Sequence, residues 1–358
     1  MDKVVKIMIV GAWQWLQYED AFAKGLKKYG VEVIPFSTSH FFNGLLGHYQ
    51  LKLPLRGPAL SQLNQCLTNE ITIKSPDSVL FWRPTHILPG TLKKIQNLGI
   101  STISYNNDDP FSQRASAKFP WHYHWLWSHY LKCLPYFDFN FFYRSVNCDE
   151  ARAYGARHTE LLMPYFLPWQ DQPVTLTKTE YEQFATDVVF VGHYEPDGRE
   201  YSIYKLIKSG IQVKIWSGSN WGRALPQEYY KKNGSIYPAL GDNYTKALCG
   251  AKICLAFLSK LNRDTYTRRC FEIPACGQLM LAERTDDLRR LFQEDKEACF
   301  FSSDEELLSK VQWLLDNPKI RHQIAWAGQK RVWADGHDVY SRVKEFLNVI
   351  HKKQKDGC

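Results

Sequence analysis

Long apolar runs are missing from this 358-residue sequence, and no stretch approaches the length of a membrane-spanning helix. The nine cysteines include no CxxC pair, which predicts reduced thiols in a cytoplasmic protein rather than a zinc cage or a disulfide framework. The N-terminal apolar run is short and lacks a small-residue cleavage site, so it predicts a first strand and not a targeting segment. We expect a soluble protein, for which peripheral contact with a membrane surface stays open.

Charge blocks of one sign and short internal repeats are also lacking. The formal net charge of +8 is modest for this length and is spread along the chain. This favours an anionic small ligand or surface over dedicated nucleic-acid binding, which stays possible but is the weaker reading. No GxGxxG motif occurs, and this argues against a dinucleotide cofactor.

Strand and helix patterns alternate along the first half of the sequence. The β-branched run Val4–Val10 ends at Gly11, and an amphipathic stretch, Glu19–Tyr29, separates it from a second apolar run, Val31–Phe36. Further strands are predicted at Ser78–Trp82, Ile100–Tyr105, Asp138–Phe142 and Thr159–Met163. This alternation predicts a parallel α/β sheet.

The same pattern restarts in the second half, where the run Asp187–Val191 ends at Gly192. Strands are predicted at Gln212–Trp216, Ala251–Leu258, Leu279–Ala282 and Cys299–Phe301. The aperiodic stretch Pro164–Phe184 is interpreted as an interdomain linker. We therefore predict two Rossmann-like lobes, residues 1–170 and 171–340, facing a cleft, with a C-terminal helix in 341–358 that packs back on the first lobe.

A cluster of cations follows the predicted strand Ala251–Leu258. It contains Lys260, Asn262, Arg263, Arg268 and Arg269. With Asp264 or Thr265 as helix cap, the two last arginines would lie in the first helical turn, where the helix dipole disfavours cations. A helix N-terminus surrounded by cations suits a diphosphate. An ordinary ion pair between Arg268 and Glu272, four residues apart, is the alternative.

The run NRDTYTRRCFEIPACGQLMLAERTDDLRRLF, with EACFFSSDEELLSKVQWLLDNPKIRHQIAWAG downstream, resembles the C-terminal lobe of CgeB-like, spore-maturation type glycosyltransferases of the GT-B superfamily. The resemblance covers roughly residues 187–347 well, and the first half more loosely. It implies a GT-B fold and a glycosyltransferase that needs no metal. The co-substrate would be a nucleotide sugar, UDP- or GDP-linked, with no other cofactor, and the acceptor would carry a hydroxyl, as a glycan or a lipid-linked saccharide does.

The resemblance also implies roles for particular residues. Glu272, in an E-x-x-A-x-G setting, would meet hydroxyls of the donor sugar. In related enzymes a second Glu follows after seven intervening residues and meets the ribose, whereas this sequence has Met280 at that position. Glu283, with Thr285 behind it, is the predicted substitute. Because the second Glu is missing, the stereochemical course stays open.

Other candidates follow predicted strand ends. Gly192 and His193 would approach the donor, while Gly11 and Trp13 would form a glycine loop on the acceptor side or only a tight turn. In the loop Asn106–Pro110, Asp108 and Asp109 are candidate bases for the acceptor hydroxyl. The same loop is also good turn chemistry.

The stretch FPWHYHWLWSHY combines aromatic side chains with His122, His124 and His129. This stretch is interpreted as core packing, as an aromatic wall on the acceptor side or as a metal site. No acid or cysteine nearby would complete a set of metal ligands. Two other functions stay open: a glycosyltransferase that modifies hydroxylated DNA bases, and a non-catalytic spore-coat or surface-assembly protein with the same fold.

Overall fold

The computed structural model describes residues 4–54, 57–112, 123–218, 221–222 and 224–356, without the side chains of residues 123–124 and 353–356. The chain divides into two compact units. The first comprises Met1–Met163 and Val339–Cys358, and the second comprises Pro164–Asp338. The first boundary thus lies after residue 163, and the C-terminal segment groups with the first unit.

A six-stranded parallel sheet with the order β2-β1-β3-β4-β5-β6 forms the centre of the first unit. Its strands are β1 (Lys6–Gly11), β2 (Glu32–Ser37), β3 (Ser78–Trp82), β4 (Ser101–Asn106), β5 (Phe139–Phe142) and β6 (Thr159–Leu161). Strands β1, β3 and β4 consist almost entirely of buried residues. Such continuous burial is typical of parallel strands that helices cover on both faces.

The helices of the first unit connect these strands and follow the last one. They are α1 (Ala21–Lys28), α2 (Gly44–Lys52), α3 (Pro58–Lys74), α4 (Pro89–Asn97), α5 (Tyr123–Leu126), α6 (Ser128–Cys133), α7 (Ser145–Ala153) and, from the end of the chain, α16 (Val339–Asp356). A π turn (Leu16–Asp20) precedes α1, and two 3-10 turns (Ser39–Phe42 and Leu134–Tyr136) complete the unit.

Helix α16 supplies part of the core of the first unit. The ring of Phe346 is fully buried, and its centroid lies 5.2 Å from Phe22 of α1 and 5.0 Å from Phe141 of β5. Gly25 allows α1 and α16 to approach closely, because a Cβ there would lie 2.6 Å from Val343 Cγ2. The C-terminal helix is therefore a structural element of this unit.

Helices α2 and α3 occupy a stretch for which the sequence patterns above predict no element. The signal for α3 is nevertheless present, since Pro58 stands at the first helical position after Gly57. Its buried apolar residues also have helical spacing: Leu60, Leu63, Leu67 and Ile71. Helix α2 has no such pattern, because most of its residues are exposed.

The second unit has a five-stranded parallel sheet with the order β11-β10-β9-β7-β8. Its strands are β7 (Thr186–Val191), β8 (Val213–Trp216), β9 (Ala251–Ala256), β10 (Met280–Glu283) and β11 (Cys299–Phe301). Its helices are α8 (Lys178–Phe184), α9 (Arg199–Lys208), α10 (Gln227–Asn233), α11 (Asp242–Cys249), α12 (Arg269–Ala275), α13 (Asp286–Leu291), α14 (Asp304–Asp316) and α15 (Pro318–Ala334). Both units confirm the predicted α/β class.

The interpretation of Pro164–Phe184 as a linker is wrong, because this stretch is built into the second unit. Phe166 is fully buried and forms a backbone bridge with Asp338. Asp171 is also fully buried, and Thr177 begins α8 with a capping box. The stretch lacks periodicity because it is held by individual buried contacts rather than by a regular strand or a long helix.

Candidate functional site

The loops that follow β7, β9 and β10 form one edge of the second unit's sheet, since these three strands are neighbours. Ligands of open parallel sheets bind beyond the carboxyl ends of the strands. The loop after β7 begins at Gly192, the loop after β9 contains Lys260, and the loop after β10 contains Thr285. The structure therefore places most of the predicted donor residues along one edge.

Arg269 lies directly across the end of β7. Its Nε donates a hydrogen bond of 2.6 Å to the carbonyl oxygen of Val191. A Cβ at Gly192 would lie only 2.5 Å from Arg269 Nη2, so the missing side chain makes room for the guanidinium. Among the described residues, no carboxylate lies within salt-bridge distance of Arg269. Its charge is available for an anionic ligand.

The loop after Gly192 is held from inside by Arg199, a buried residue that the sequence patterns did not single out. Arg199 donates to both carboxylate oxygens of Asp197, at 2.8 and 2.6 Å, and to the carbonyl oxygen of His193 at 2.8 Å. The pKa of His193 lies below its ordinary value because its ring is shielded from water and because Arg269 is near. A neutral imidazole beside an unpaired arginine can donate to or accept from a ligand.

Glu195 and Ser259 join the loop after β7 to the loop after β9. The Ser259 hydroxyl donates to Glu195 at 2.8 Å and accepts from the backbone N–H of Asn262 at 3.2 Å. Arg263 has a φ of 50°, in the left-handed region that residues with a Cβ seldom adopt. The predicted residues Asn262 and Arg263 thus shape a tight loop at the sheet edge.

Two predicted donor residues, Lys260 and Glu283, pair with each other. The Lys260 ammonium lies 2.7 Å from Glu283 Oε1, and Glu283 Oε2 accepts from the backbone N–H of Leu258 at 2.6 Å. Thr285 is the cap of α13, since its hydroxyl accepts from the N–H of Leu288 at 3.1 Å and donates to the Thr265 carbonyl at 2.6 Å. In this structure these side chains stabilise the loops, which the donor-binding prediction did not anticipate.

The predicted cap of α12 is wrong, because the helix begins at Arg269 and Arg268 occupies the cap position without a side-chain cap. Asp264 does not cap it, and the Thr265 hydroxyl donates to Asp287 at 2.6 Å instead. The helix is also short and contains Pro274. Arg268 and Arg269 lie at the helix start, as predicted, but so short a helix has a weaker dipole for a diphosphate than the prediction assumed.

Arg268 and Glu272 form the ion pair that the sequence offered as the alternative to a diphosphate site. Glu272 is buried and accepts hydrogen bonds from Arg268 Nε and from the Tyr244 hydroxyl. Asp171 Oδ2 lies 3.8 Å from Arg268 Nη2 and accepts from the Leu167 N–H. This cluster balances the charge of Arg268 internally, and it buries the carboxylate that was expected to meet the donor sugar.

Asp171 is the least solvated member of this buried cluster. Its Oδ1 has no hydrogen-bond partner among the described residues, and none of its surface is exposed. Burial, together with the neighbouring Glu272 carboxylate, raises the pKa of Asp171 to about 7. The sequence gives no sign of this residue, because it lies in the stretch interpreted as a linker.

The loop after β1 in the first unit contains Gly11 and Trp13. A Cβ at Gly11 would lie 2.2 Å from Glu19 Oε1, and this oxygen accepts from the N–H of Ala12 at 2.8 Å. Trp13 has a φ of 55°, and its indole donates to Ile9 at 3.3 Å. Glu19 is only 3% exposed, and burial raises its pKa. In the sequence, Glu19 resembles an ordinary acid at a helix start.

The two candidate bases lie in different surroundings. Asp109 is buried and accepts hydrogen bonds from the N–H groups of Phe111 and Ser112, at 3.0 and 3.1 Å, and from Asn147 at 3.0 Å. Asp109 therefore stabilises the turn, and its role as a base stays a prediction. Asp108 is partly exposed and pairs with Arg83.

The aromatic stretch is partly core. Trp127 and Tyr130 are fully buried, whereas Trp125 is half exposed. His129 Nε2 lies 2.7 Å from the carbonyl oxygen of Pro54. His122 lies outside the described residues, as does the side chain of His124. Within the described part of the chain, no group of three side chains is arranged to hold a metal ion.

A pocket of about 690 Å³ opens at the carboxyl edge of the first unit's sheet. Its walls include residues directly after three strands: Ala12 after β1, Thr38 after β2 and Arg83 after β3. Helix α2 contributes the other side, through His48 and Lys52 among others. The sequence patterns did not reveal this pocket, since they assigned no element to α2.

Residues 199–348 match the family model described as Glycosyl transferase-like. This part of the chain is similar to that family of glycosyl transferases. The match confirms the predicted enzyme class, a glycosyltransferase. It includes Lys260, Arg269, Glu272 and Glu283, and it begins after Gly192. No curated protein matches the chain significantly, and the CgeB-like type stays a prediction.

Solved structures of low sequence identity share the fold of the whole chain. Sucrose-phosphate synthase from Thermosynechococcus elongatus is 10% identical, with a TM-score of 0.69 over 98% of this chain and 100% of that chain. HepE from Anabaena, in complex with UDP and glucose, is 12% identical, with a TM-score of 0.64 over 97% and 100%. A putative UDP-N-acetylglucosamine 2-epimerase from Listeria monocytogenes is 10% identical, with a TM-score of 0.54 over 99% and 97%.

These likenesses confirm the predicted GT-B fold, with its two Rossmann-like units around parallel sheets. The residues that match the family model make up most of the second unit. Among the described helices of the chain, none is long and apolar enough to cross a membrane.

Proposed function

We propose that the protein transfers a glycosyl group from a nucleoside diphosphate sugar, UDP- or GDP-linked, to a hydroxyl acceptor such as a saccharide. The bond between the anomeric carbon and the diphosphate oxygen breaks, and the diphosphate leaves with the electron pair. The anomeric carbon bonds to the acceptor oxygen, which loses its proton to a base. The family match and the UDP-bound HepE structure support this donor class.

The observation that carries the proposal is the unpaired guanidinium of Arg269 at the end of β7. Negative charge develops on the diphosphate as it departs, and a fixed arginine stabilises that charge in a partly desolvated site. Arg268, in contrast, is neutralised by Glu272. We therefore assign the diphosphate contact to Arg269, with His193 beside it.

We infer that the reaction needs no divalent metal, because Arg269 supplies positive charge where a metal would otherwise act. For the acceptor side, Asp108 stays the candidate base, since Asp109 is committed to its turn. The hydrogen bond that Arg83 Nε donates to Asp108 orients this carboxylate.

Titration calorimetry with UDP, GDP and UDP-glucose tests the donor site. We expect Arg269→Ala to weaken nucleotide binding about 10- to 100-fold, which corresponds to the roughly 1.5–3 kcal/mol of a charge-assisted hydrogen bond. Arg290→Ala, which removes an exposed arginine of α13, is the matched control and should bind as the wild type does. Equal affinity of wild type and Arg269→Ala would refute the assignment.

Product analysis separates the proposed reaction from its rivals. Release of nucleoside diphosphate with a new glycoside, unchanged in EDTA, is the expected result. If the protein converts the donor to an epimer without any acceptor, it catalyses epimerisation and not transfer; a putative epimerase shares this fold. Binding of neither nucleotide nor nucleotide sugar would favour a non-catalytic protein. Salt-dependent binding of duplex DNA would favour the DNA-modifying alternative.

A further inference from the structure

Helix α2 presents an apolar face to solvent. Leu45 and Leu46 are 84% and 82% exposed, and Tyr49 is 66% exposed. At 100° per residue these three side chains fall within one arc of about 100° on the helix surface. An exposed cluster of two leucines and a tyrosine is unusual for a helix in a folded domain and marks a surface that binds something apolar.

The orientation of this helix is fixed by contacts on its opposite side. Gly47 packs against the backbone of Phe42, because a Cβ there would lie 2.4 Å from the Phe42 carbonyl carbon. His86 Nε2 lies 3.0 Å from the carbonyl oxygen of Gln50 and donates to it, since a carbonyl only accepts. These contacts point the leucines outward.

The edge of α2 next to the apolar face is basic. His48 and Lys52 lie on that edge, and they line the pocket at the carboxyl ends of β1, β2 and β3 together with His40 and Arg83. None of the residues that line the pocket is acidic. Among the described residues, Lys52 has no carboxylate within salt-bridge distance. Because Arg83 is paired with Asp108, Lys52 is the cation through which the pocket attracts an anionic group.

We propose that the acceptor is an anionic amphiphile, a lipid phosphate whose head group also carries the acceptor hydroxyl. The head group enters this pocket, and the hydrocarbon chain lies along Leu45, Leu46 and Tyr49. The proposal rests on the proposed function, because it names the acceptor class of that transferase. Its support is the adjacency of a cationic pocket and an exposed apolar face on one short helix. A neutral saccharide would use the pocket but not the apolar face.

Binding of geranyl phosphate to the full chain, below its micelle concentration, tests this acceptor class by calorimetry. Geraniol and inorganic phosphate are the two partial ligands. We expect geranyl phosphate to bind at least about tenfold more tightly than either, because head and chain contribute together. Equal binding of geraniol would show that the cations play no part, and equal binding of phosphate would show that α2 plays none. Either result overturns the proposal.

Two variants separate the contributions. Leu46→Ser should weaken the binding of geranyl phosphate several-fold, since it removes apolar contact with the hydrocarbon chain, and should leave phosphate binding unchanged. Lys52→Gln should weaken both ligands. The controls are Ile73→Ser and Lys74→Gln at the exposed end of α3, which should bind as the wild type does. A Leu46→Ser variant that binds geranyl phosphate normally would contradict the assignment of the chain.

Failure of this inference is distinguishable from failure of the proposed function. UDP binding is measured on the same protein and depends on Arg269 in the second unit. If UDP binds and geranyl phosphate does not, the transferase stands and its acceptor is not a lipid phosphate. If geranyl phosphate binds and no nucleotide does, the amphiphile site stands and the donor assignment fails. Binding only to anionic phospholipid vesicles, and not to monomeric geranyl phosphate, would also overturn the acceptor class.

Discussion

Arg269 and Gly192 act together at the end of β7, because the arginine fills the space that a side chain at position 192 would need. The φ of Gly192 is not in the left-handed region, so the glycine is required for close approach and not for backbone conformation. The contact is also local, since Arg269 Nε is anchored on the adjacent carbonyl oxygen of Val191. Because the two residues are coupled, a substitution of Gly192 tests the donor site without removing any charged residue.

We predict that Gly192→Ala weakens UDP binding about tenfold while the protein stays folded. The added methyl group would displace the guanidinium of Arg269 from the end of β7, and a shift of this size costs about one charge-assisted hydrogen bond. Calorimetry gives the affinity, and circular dichroism gives the fold. Gly210→Ala is unsuitable as a control because Gly210 has a positive φ, whereas Gly90→Ala in α4 has open space around it. If Gly192→Ala binds UDP with unchanged affinity, Gly192 plays no part in ligand binding.

Asp171 makes the second unit sensitive to pH. Its folded-state pKa, about 7, is higher than the ordinary value of 3.8. The folded state therefore favours the protonated acid, so its contribution to stability is full below pH 3.8 and is lost as the pH rises to about 7. We predict that Asp171→Asn, which keeps an acceptor for the Leu167 N–H, is more stable than the wild type at pH 8.

The difference between the Asp171→Asn variant and the wild type should shrink at pH 5, where the acid of the wild type is protonated. Melting temperatures at both pH values check this, and hydrogen exchange in the second unit shows where the stability changes. Glu180→Gln is a contrasting control, because Lys246 holds the pKa of the partly exposed Glu180 carboxyl down. A constant offset between Asp171→Asn and wild type at both pH values would contradict a titration of Asp171.

At the scale of elements, α2 depends on one buried imidazole. Burial lowers the pKa of His86 to about 4, and its Nδ1 lies 2.7 Å from the Thr85 hydroxyl. Because Nε2 donates to Gln50, Nδ1 is the acceptor in the neutral ring. Protonation would place a second donor opposite that hydroxyl and a charge in a buried site.

We predict that the first unit loses stability as the pH falls from 6.5 towards 4. The folded-state pKa of His86 is lower than the ordinary value of 6.5, so its contribution is complete above pH 6.5 and disappears towards pH 4. The linkage relation gives a loss of about 3 kcal/mol over this interval. Urea unfolding read by hydrogen exchange in α2 and α3 measures it. His86→Gln, which does not titrate, should show a smaller decrease, and an identical decrease would exclude His86 as the cause.

At the scale of the whole molecule, the chain returns to the first unit after it has built the second. The first unit is therefore discontinuous in sequence, and its core is incomplete until α16 is in place. Phe346 contributes a fully buried ring between Phe22 and Phe141. The second unit is continuous in sequence and contains the whole donor site proposed above.

We predict that Phe346→Ala destabilises the first unit by about 3–5 kcal/mol, the usual cost of a large cavity in a core. Hydrogen exchange should increase in β1, α1 and β5 and stay near wild type in β7, β9 and β10. UDP binding should be retained at a temperature where both units are folded. A matched surface change in the same helix, His351→Ala, should have little effect. Equal loss of protection in both units would mean that they unfold together.

The fold by itself leaves the reaction open, because a putative epimerase and a sucrose-phosphate synthase share it. What narrows the function is the match of residues 199–348 and the cation at the strand edge. Product analysis, and not the fold, therefore distinguishes glycosyl transfer from other reactions of nucleotide sugars.

The sequence by itself determined the strands, the two α/β halves, the enzyme class and the edge at which the donor residues lie. Strands β3 and β11 were predicted to the residue, because short apolar runs in parallel sheets are buried on both faces and have clear ends. Gly11 and Gly192 were marked for the same reason, since each ends such a run.

Only the tertiary structure decided which charges are free. Lys260 pairs with Glu283, and Arg268 pairs with Glu272, while Arg269 alone of these cations lacks a carboxylate partner in the described part of the chain. Only their burial in the structure singles out Asp171, Glu19 and Arg199. Pairing and burial depend on distances between segments far apart in the sequence, and periodicity carries no information about such distances.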